Sequence, residues 1–473
     1  MSDFFKKQRL VSASGLGIFR IIFFTVQFLE VFQLYSFKEL VFDTTSFIEP
    51  DSLSHTYFFL IWMITLIFLI IGYKTRTALI VNYALNMVYF SVSADFEYHM
   101  DYVYTGVNTL CLFLPVGLSY SVDALKAGYK EIPKISYLNH LIIIFCTTAL
   151  VYTDSIFHKI TSPMWMNGLG MWLPSSQPNF TWLNLQWFLN QKYLVMSMGY
   201  MTLFFELTFI VLMWFRKARP ILALIGIGLH FGIFLAFPIP LFGFCYCGIY
   251  LLMLFPESFY EKFDEYFLSL REIFHIKESK IEVKPWTGFS ERVIYIMIII
   301  AAVFQINGII LSPSAQSVLP SELVNTSWKL QKNFFRPIFG STRHGVFMDW
   351  HFKTARYITV VKSAGEVLPF FKENGQVGDY PFGRFWVNSN FRFLNIQSPH
   401  YKDGLRRYTA FWAKKNNKNL MNLDMEVFIK ETSVATKWEK DFLTKQMQRP
   451  LRKIADIKWR NSKFEFVPLG KKS

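Results

Sequence analysis

The sequence predicts a polytopic helical membrane protein, an all-α bundle of about nine spans followed by a small soluble α+β domain. Of its 473 residues, 52% are hydrophobic and 19% are aromatic, which exceeds the usual content of soluble domains. Apolar runs of about 20 residues, long enough to cross a bilayer, recur as far as residue 312. Beyond that residue the pattern changes to short alternating segments, which are typical of strands.

Each predicted span is an apolar run between two polar loops. The runs cover residues 15–35, 56–73, 77–94, 102–119, 136–157, 193–215, 220–238, 240–256 and 292–312. Lysines and arginines concentrate in alternate loops, at positions 6–9, 74–76, 126–134 and 216–219. Because such loops stay in the cytoplasm, the N-terminus is predicted to be cytoplasmic and the tail extracytoplasmic.

Four regions follow from these boundaries. Residues 1–256 form the main transmembrane domain, 257–291 a charged cytoplasmic linker, 292–312 the ninth helix and 313–473 the C-terminal domain. In that last domain, residues 356–362 and 425–430 are predicted strands and 404–418 a predicted helix.

The formal net charge of +15 resides almost entirely in the C-terminal domain. A basic domain attached to a membrane favours membrane lipid headgroups or an acidic protein or peptide as its partner. The predicted topology argues against nucleic acid, and the sequence leaves the oligomeric state open. No metal is predicted, because Cys245 and Cys247 would point about 200° apart on a helix.

Ionisable residues inside the spans need a partner or a function, since a charge in hydrocarbon costs at least about 2.5 kcal/mol. Arg20 and Glu206 are predicted at similar depth, which makes a structural ion pair between them possible. Direct participation of the two residues in a site is the alternative. Glu30 is a competing partner for Arg20 nearer the other surface.

His230 and Lys159 each have a structural and a functional interpretation. His230, between Gly228 and Gly232, is either a core histidine with one interhelical hydrogen bond or a residue that handles protons or holds substrate. Lys159 ends the fifth predicted span and either extends to the headgroups or acts as a general base in a dry pocket.

Several segments share their order and spacing with one family, and they lie within residues 10–256: Gly15-Leu-Gly-Ile-Phe-Arg20, Tyr98-His-Met-Asp101, Tyr120-Ser-Val-Asp123, His158-Lys159, Trp165, Gly168, Glu206 and Leu229-His230. On these residues the chain resembles the vitamin K-dependent γ-carboxylase and the related horizontally transferred transmembrane (HTTM) domain proteins.

The resemblance implies a lyase that couples epoxidation of vitamin K hydroquinone, or a related quinol, to carboxylation of glutamate, with O2 and CO2 as co-substrates. By the same resemblance, Lys159 would deprotonate the quinol, and His99 and His230 would stabilise reacting oxygen atoms. Trp165, Tyr98 and Tyr152 would contact the quinol.

The sequence also departs from the carboxylase pattern. His158 replaces a second lysine, the spacing from Lys159 to Trp165 is one residue longer, and residues 313–473 are shorter than the family's C-terminal portion. The competing interpretation is a non-catalytic membrane protein, a transporter or assembly factor, whose intramembrane charges hold helices together.

Overall fold

The computed structural model describes residues 10–42, 55–92, 96–276, 291–341 and 343–469. Within these ranges the N-terminal part contains ten longer helices, in addition to short ones of four or five residues. The longer helices are α1 (Ser14–Ser36), α2 (His55–Ile71), α3 (Thr75–Val92), α4 (His99–Cys111), α5 (Leu138–Lys159), α6 (Lys192–Leu212), α7 (Arg219–Ala236), α8 (Pro240–Leu254), α9 (Glu257–Ile273) and α10 (Glu291–Ile310). All except α9 coincide with a predicted span.

Five of these helices, α1, α5, α6, α7 and α10, are long and apolar enough to cross a membrane. A sixth is obtained if α8 and α9, which meet at a 105° bend, count as one span. The shorter α2 is apolar but has 17 residues. The structure therefore supports a helical membrane protein with five to six candidate spans, fewer than the nine predicted from hydropathy.

The chain nevertheless passes between two ends of the bundle in alternation. At the first end, β1 (Leu10–Ser12) pairs with β2 (Lys134–Ser136), and Asp123 accepts backbone N–H bonds from Lys74 and Thr75. The C-terminal domain covers the second end. The basic loops at 74–76, 126–134 and 216–219 therefore lie at the same end of the bundle.

Helix α5 contains a π-helical turn, Phe145–Ala149, between its two α-helical parts. Such turns leave backbone groups without their usual helical partners and are frequent at functional sites. Here the carbonyl of Thr147 accepts a 3.0 Å hydrogen bond from the hydroxyl of Tyr246 on α8. The turn thus ties α5 to the helix that packs against His230.

Residues 257–273 form the helical part of the predicted charged linker. In α9, Asp264 accepts hydrogen bonds from Ser12, Ser14 and the hydroxyl of Tyr120, which fasten the helix to the first end of the bundle. Phe259 and Phe263 on its other side are exposed. The second half of the predicted linker lies outside the described residues.

The C-terminal domain is built on an antiparallel five-stranded sheet in the order β4-β3-β5-β6-β7. The strands are β3 (Tyr357–Ser363), β4 (Glu366–Val367), β5 (Asn422–Glu431), β6 (Leu451–Arg460) and β7 (Lys463–Pro468). Helix α11 (Tyr401–Lys415) packs on the sheet, where the Trp459 indole donates to Thr409. The predicted α+β domain, both quoted strands and the helix are confirmed.

Short helices between α10 and β3 and within the C-terminal domain cover the second end of the bundle. They are Pro313–Gln316, Ser321–Leu330, Arg336–Phe339, Asp349–Thr354, Arg384–Asn388 and Phe442–Met447. The domain does not stand apart from the bundle: Gln33 donates to the carbonyl of Phe382, and Asn179 donates to that of Ala355. Because these side chains are buried, the domain forms a fixed cover.

Candidate functional site

The centre of the candidate site is a buried ion pair between α5 and α6. Lys159 Nζ lies 2.5 Å from Glu206 Oε1, and each side chain is only 6% exposed. Lys159 therefore does not extend to the headgroup region, which was one of its two interpretations. Taking both charges out of water is costly unless they remain paired, so each residue fixes the other's position.

Aromatic rings enclose this pair. The Lys159 ammonium lies 4.2 Å from the ring centre of Trp165, within the range of a cation–π interaction. The Trp165 indole N–H donates to the carbonyl of Phe347 in the C-terminal domain, at 2.9 Å. The covering domain thus orients one wall of the pocket around the amine.

His230 reaches the same region from α7. Its Nδ1 lies 3.0 Å from the carbonyl oxygen of Gly226, and its ring stacks on Tyr246 with 4.5 Å between centroids. The side chain is within electrostatic range of Lys159. This hydrogen bond lies within α7 and is not the interhelical bond of the structural interpretation, and the contact with a neighbouring helix is the stacking on Tyr246 of α8.

Two tyrosines complete this side of the site. The hydroxyls of Tyr152 on α5 and Tyr250 on α8 are 2.5 Å apart and buried. Tyr250 lies 5.6 Å from His230 between ring centres, and Tyr152 is within electrostatic range of Glu206. Tyr152, predicted to contact a quinol, is therefore beside the pair.

His99 belongs to a different group. At the start of α4, its ring lies 6.0 Å from that of His344 in the C-terminal domain. His344 in turn contacts Asp154 on α5, whose carboxylate accepts the His344 backbone N–H at 2.5 Å. Of the three predicted catalytic residues, Lys159 and His230 are within electrostatic range of each other, whereas His99 lies with the Asp154 group.

The group around Asp154 was not identified from the sequence. Asp154 is fully buried, and its Oδ2 lies 3.8 Å from both the Nε2 of His158 and the Nδ1 of His344. An aspartate and a histidine four residues apart in an apolar span were the available signal, because that spacing places both on one helix face.

The predicted ion pair between Arg20 and Glu206 is wrong. The Arg20 guanidinium donates to the carbonyls of Val116, Ser119 and Tyr120, at 2.9, 3.0 and 2.5 Å, within the first end of the bundle. Glu206 is paired with Lys159 instead. Equal depth in two helices did not make the two residues neighbours, and three carbonyls of the loop after α4 accept hydrogen bonds from the two Nη atoms of Arg20.

A third buried group joins the two parts of the molecule. Arg384 of the C-terminal domain forms two hydrogen bonds with Asp101 on α4, at 2.6 and 2.5 Å. Burial disfavours the charged guanidinium, but the Asp101 carboxylate more than offsets this and holds the pKa of Arg384 above its usual range. Glu30 and Tyr98 lie in the same group, so Glu30 is no partner of Arg20.

These features define a class, the polytopic α-helical membrane proteins whose ionisable interior lies under a folded extramembrane domain. The chain belongs to the HTTM domain family, which matches residues 8–260, more than half of its length. None of the curated proteins and none of the solved structures compared with the chain is significantly similar to it. Within the described ranges, no group of three or more His, Cys, Asp or Glu side chains is arranged to hold a metal.

Proposed function

We propose that this HTTM protein carries out quinol-dependent chemistry of the γ-carboxylase type, with Lys159 and Glu206 as its acid–base pair. One observation carries the proposal: an amine and a carboxylate 2.5 Å apart, nearly excluded from solvent and walled by Trp165. A deprotonating group for a lipid-soluble quinol needs such a dry site, because water would compete for the proton.

The pair acts as one unit. In the resting state the amine and the carboxylate share one proton, so the pair has no net charge. Transfer of a proton from a quinol hydroxyl to the pair produces a quinolate anion and a pair of charge +1, so the two products attract each other in a medium of low dielectric constant. Glu206 thereby prevents an isolated charge in the resting state.

His230 and the Tyr152–Tyr250 hydroxyls are the hydrogen-bonding groups available beside the pair. They are placed to hold an oxygen atom as it gains negative charge. His99 is assigned no role next to Lys159, since its neighbours are His344 and His351. By the resemblance, oxygenation of the quinolate would supply the stronger base for carboxylation of a glutamate.

The proposal includes a topology and a partner. The N-terminus would be cytoplasmic and the C-terminal domain extracytoplasmic, with acidic peptides attracted to its excess of lysine and arginine. The support is the alternation of basic loops along the chain together with the two-ended arrangement of the helices. Cysteine labelling at introduced exposed positions on each end, in intact vesicles, tests the orientation.

The test of function is turnover of reduced vitamin K by the purified protein in lipid nanodiscs, with epoxide measured by chromatography and labelled CO2 followed into a glutamate peptide. Lys159→Ala is expected to lower epoxide formation by about 10²–10⁴-fold. Lys192→Ala removes an exposed lysine at the start of α6 and is the matched control, expected to retain turnover.

Unchanged epoxide formation in Lys159→Ala would remove this lysine from the proposed role. A folded wild-type protein without any quinol turnover would favour the non-catalytic interpretation of the buried charges.

A further inference from the structure

An apolar cavity of about 450 Å³ lies between α4, α5 and α10, a volume in the range of small-molecule binding sites. Its walls are mainly apolar, and the side chains of three helices contribute to it. The residues that define its long wall along α10 are Val293, Ile296, Met297, Ile300, Ala301 and Phe304. None of Lys159, Glu206 and His230 lines it.

Polar groups concentrate near the covering domain. Gln305, Ser341 and His344 line the cavity there. A Cβ atom on Gly308 would lie 3.2 Å from Gln305 Nε2 and 3.3 Å from Asp154 Oδ1. The glycine therefore permits the amide and the carboxylate to approach each other behind the cavity wall.

Helix α5 presents different residues to the two sites. Thr147, Val151, Asp154 and His158 follow one another at spacings of three or four and share one face, and the first two line the cavity. Lys159 follows His158 directly and points to α6. The cavity is thus separated from the Lys159–Glu206 pair by the body of one helix.

The charges next to the polar part of the cavity nearly cancel. The Asp154 carboxylate is within electrostatic range of the Arg343 guanidinium, which donates to the carbonyl of Leu311. A charged headgroup would enter a low-dielectric site with no surplus of opposite charge. An uncharged group that accepts hydrogen bonds fits the N–H donors of amide and imidazole side chains at no such cost.

We propose that this cavity binds an uncharged lipid-soluble molecule, with its hydrogen-bonding head at Gln305 and His344 and its apolar chain along α10. Entry comes from the bilayer. Ile296 and Ile300 line the cavity and are also 55% and 45% exposed on the apolar surface of α10, so one helix separates the cavity from lipid. Both a neutral bilayer lipid and an isoprenoid quinone have the required chemistry.

The test measures binding to delipidated wild-type protein by native mass spectrometry with three probes: 1-monooleoylglycerol, menaquinone-2 and oleate. Binding of either neutral probe at least tenfold tighter than oleate supports the proposal, and which neutral probe binds distinguishes a bilayer lipid from a quinone. Binding of oleate as tight as that of both neutral probes, or absence of binding by the neutral probes, overturns it.

Two substitutions locate the bound molecule. Ala301→Trp fills the cavity and is expected to weaken neutral-probe binding at least tenfold, whereas Val303→Trp adds the same ring at a 53% exposed position outside the lining and should not. Equal binding by the two variants contradicts the assignment. Gln305→Leu keeps the side-chain volume but removes the amide, and it should weaken binding about fivefold. This variant tests the site if Ala301→Trp fails to fold.

This inference does not depend on the proposed reaction. The double variant Lys159→Met/Glu206→Met leaves no unpaired buried charge and should retain probe binding because neither residue lines the cavity. Loss of turnover with retained binding therefore separates the two proposals.

Discussion

Arg384 and Asp101, 283 residues apart in the chain, form a buried bidentate ion pair that joins the C-terminal domain to helix α4. The guanidinium also donates to the carbonyl of Phe96 at 2.7 Å. The planar guanidinium forms two hydrogen bonds with the carboxylate, which gives this contact a fixed geometry. A lysine ammonium cannot reproduce this geometry. Arg384 therefore provides one fixed contact between the cover and the bundle.

Arg384→Lys is expected to loosen the cover while the sheet stays folded. The lysine keeps the charge but loses the second hydrogen bond, so amide hydrogen exchange in residues 384–393 should accelerate and that in β5 should not. Arg460→Lys is the control, because the Arg460–Asp424 pair is exposed and its loss should have little effect. Equal protection of residues 384–393 in wild type and Arg384→Lys would contradict the expected role.

The Lys159–Glu206 pair should show strong energetic coupling. Either Lys159→Met or Glu206→Met leaves a buried charge without its partner and is expected to destabilise the protein by about 3–5 kcal/mol. The double variant Lys159→Met/Glu206→Met should recover most of that loss, since no buried charge remains. Thermal unfolding in detergent measures the cycle.

An exposed pair provides the control for this cycle. Lys445 and Glu439 are 2.5 Å apart but 53% and 48% exposed, so Lys445→Met is expected to cost about 0–1 kcal/mol. If the double variant at positions 159 and 206 is as unstable as the sum of its single variants, the two residues are not coupled.

Gly340 should tolerate no side chain. It ends the short helix Arg336–Phe339 at φ +65°, and a Cβ there would overlap the carbonyl oxygen of Tyr102 and lie 2.7 Å from the amide nitrogen of Gly106. Gly340→Ala is expected to cost about 1–2 kcal/mol for the left-handed backbone and a further ~1–3 kcal/mol for the overlap with α4.

Gly365→Ala separates the two effects. Gly365 has φ +84°, but a Cβ atom added there would have no neighbour within 4 Å, so only the backbone cost applies. The unfolding midpoint of Gly340→Ala should be lower than that of Gly365→Ala when the two variants are measured side by side. A Gly340→Ala protein as stable as Gly365→Ala would show that the contact with α4 can relax.

Because His351 is buried, we expect the folded protein to lose stability in acid. Burial, followed by the charge of nearby His99, lowers the pKa of His351 from 6.5 to about 3. The unfolded chain therefore binds the proton more tightly than the folded protein. The stability that neutral His351 contributes to the folded protein is fully present above about pH 6.5. It is lost as the pH falls from there towards 3, by at most about 1.4 kcal/mol per pH unit.

His351→Gln should reduce the dependence of stability on pH in this acidic range. Its stability relative to wild type is expected to improve as the pH is lowered from 6.5 to 4.5, measured by denaturant unfolding at each pH. A constant difference between the two proteins over this range would show that His351 is not the responsible group.

The positions of the apolar helices and of the quoted C-terminal strands were determined by the sequence itself. Hydropathy and alternation are local properties, because a helix or strand must match its solvent residue by residue. The likeness to the HTTM proteins was likewise visible in short motifs such as His158-Lys159 and Leu229-His230. Only five to six of the predicted spans are long and apolar enough to be candidate spans, since α2 and α4 have fewer than 18 residues and α3 is apolar only in part.

Only the tertiary structure decided which charges meet. The depth of a residue in a span is readable from the chain, but the rotation of its helix and the identity of its neighbour are not. Glu206 therefore paired with Lys159 rather than Arg20, and Asp101 received an arginine from beyond the last helix of the bundle. Because a buried charge is stable only beside a partner, helix packing selects these pairs and with them the possible chemistry of the site.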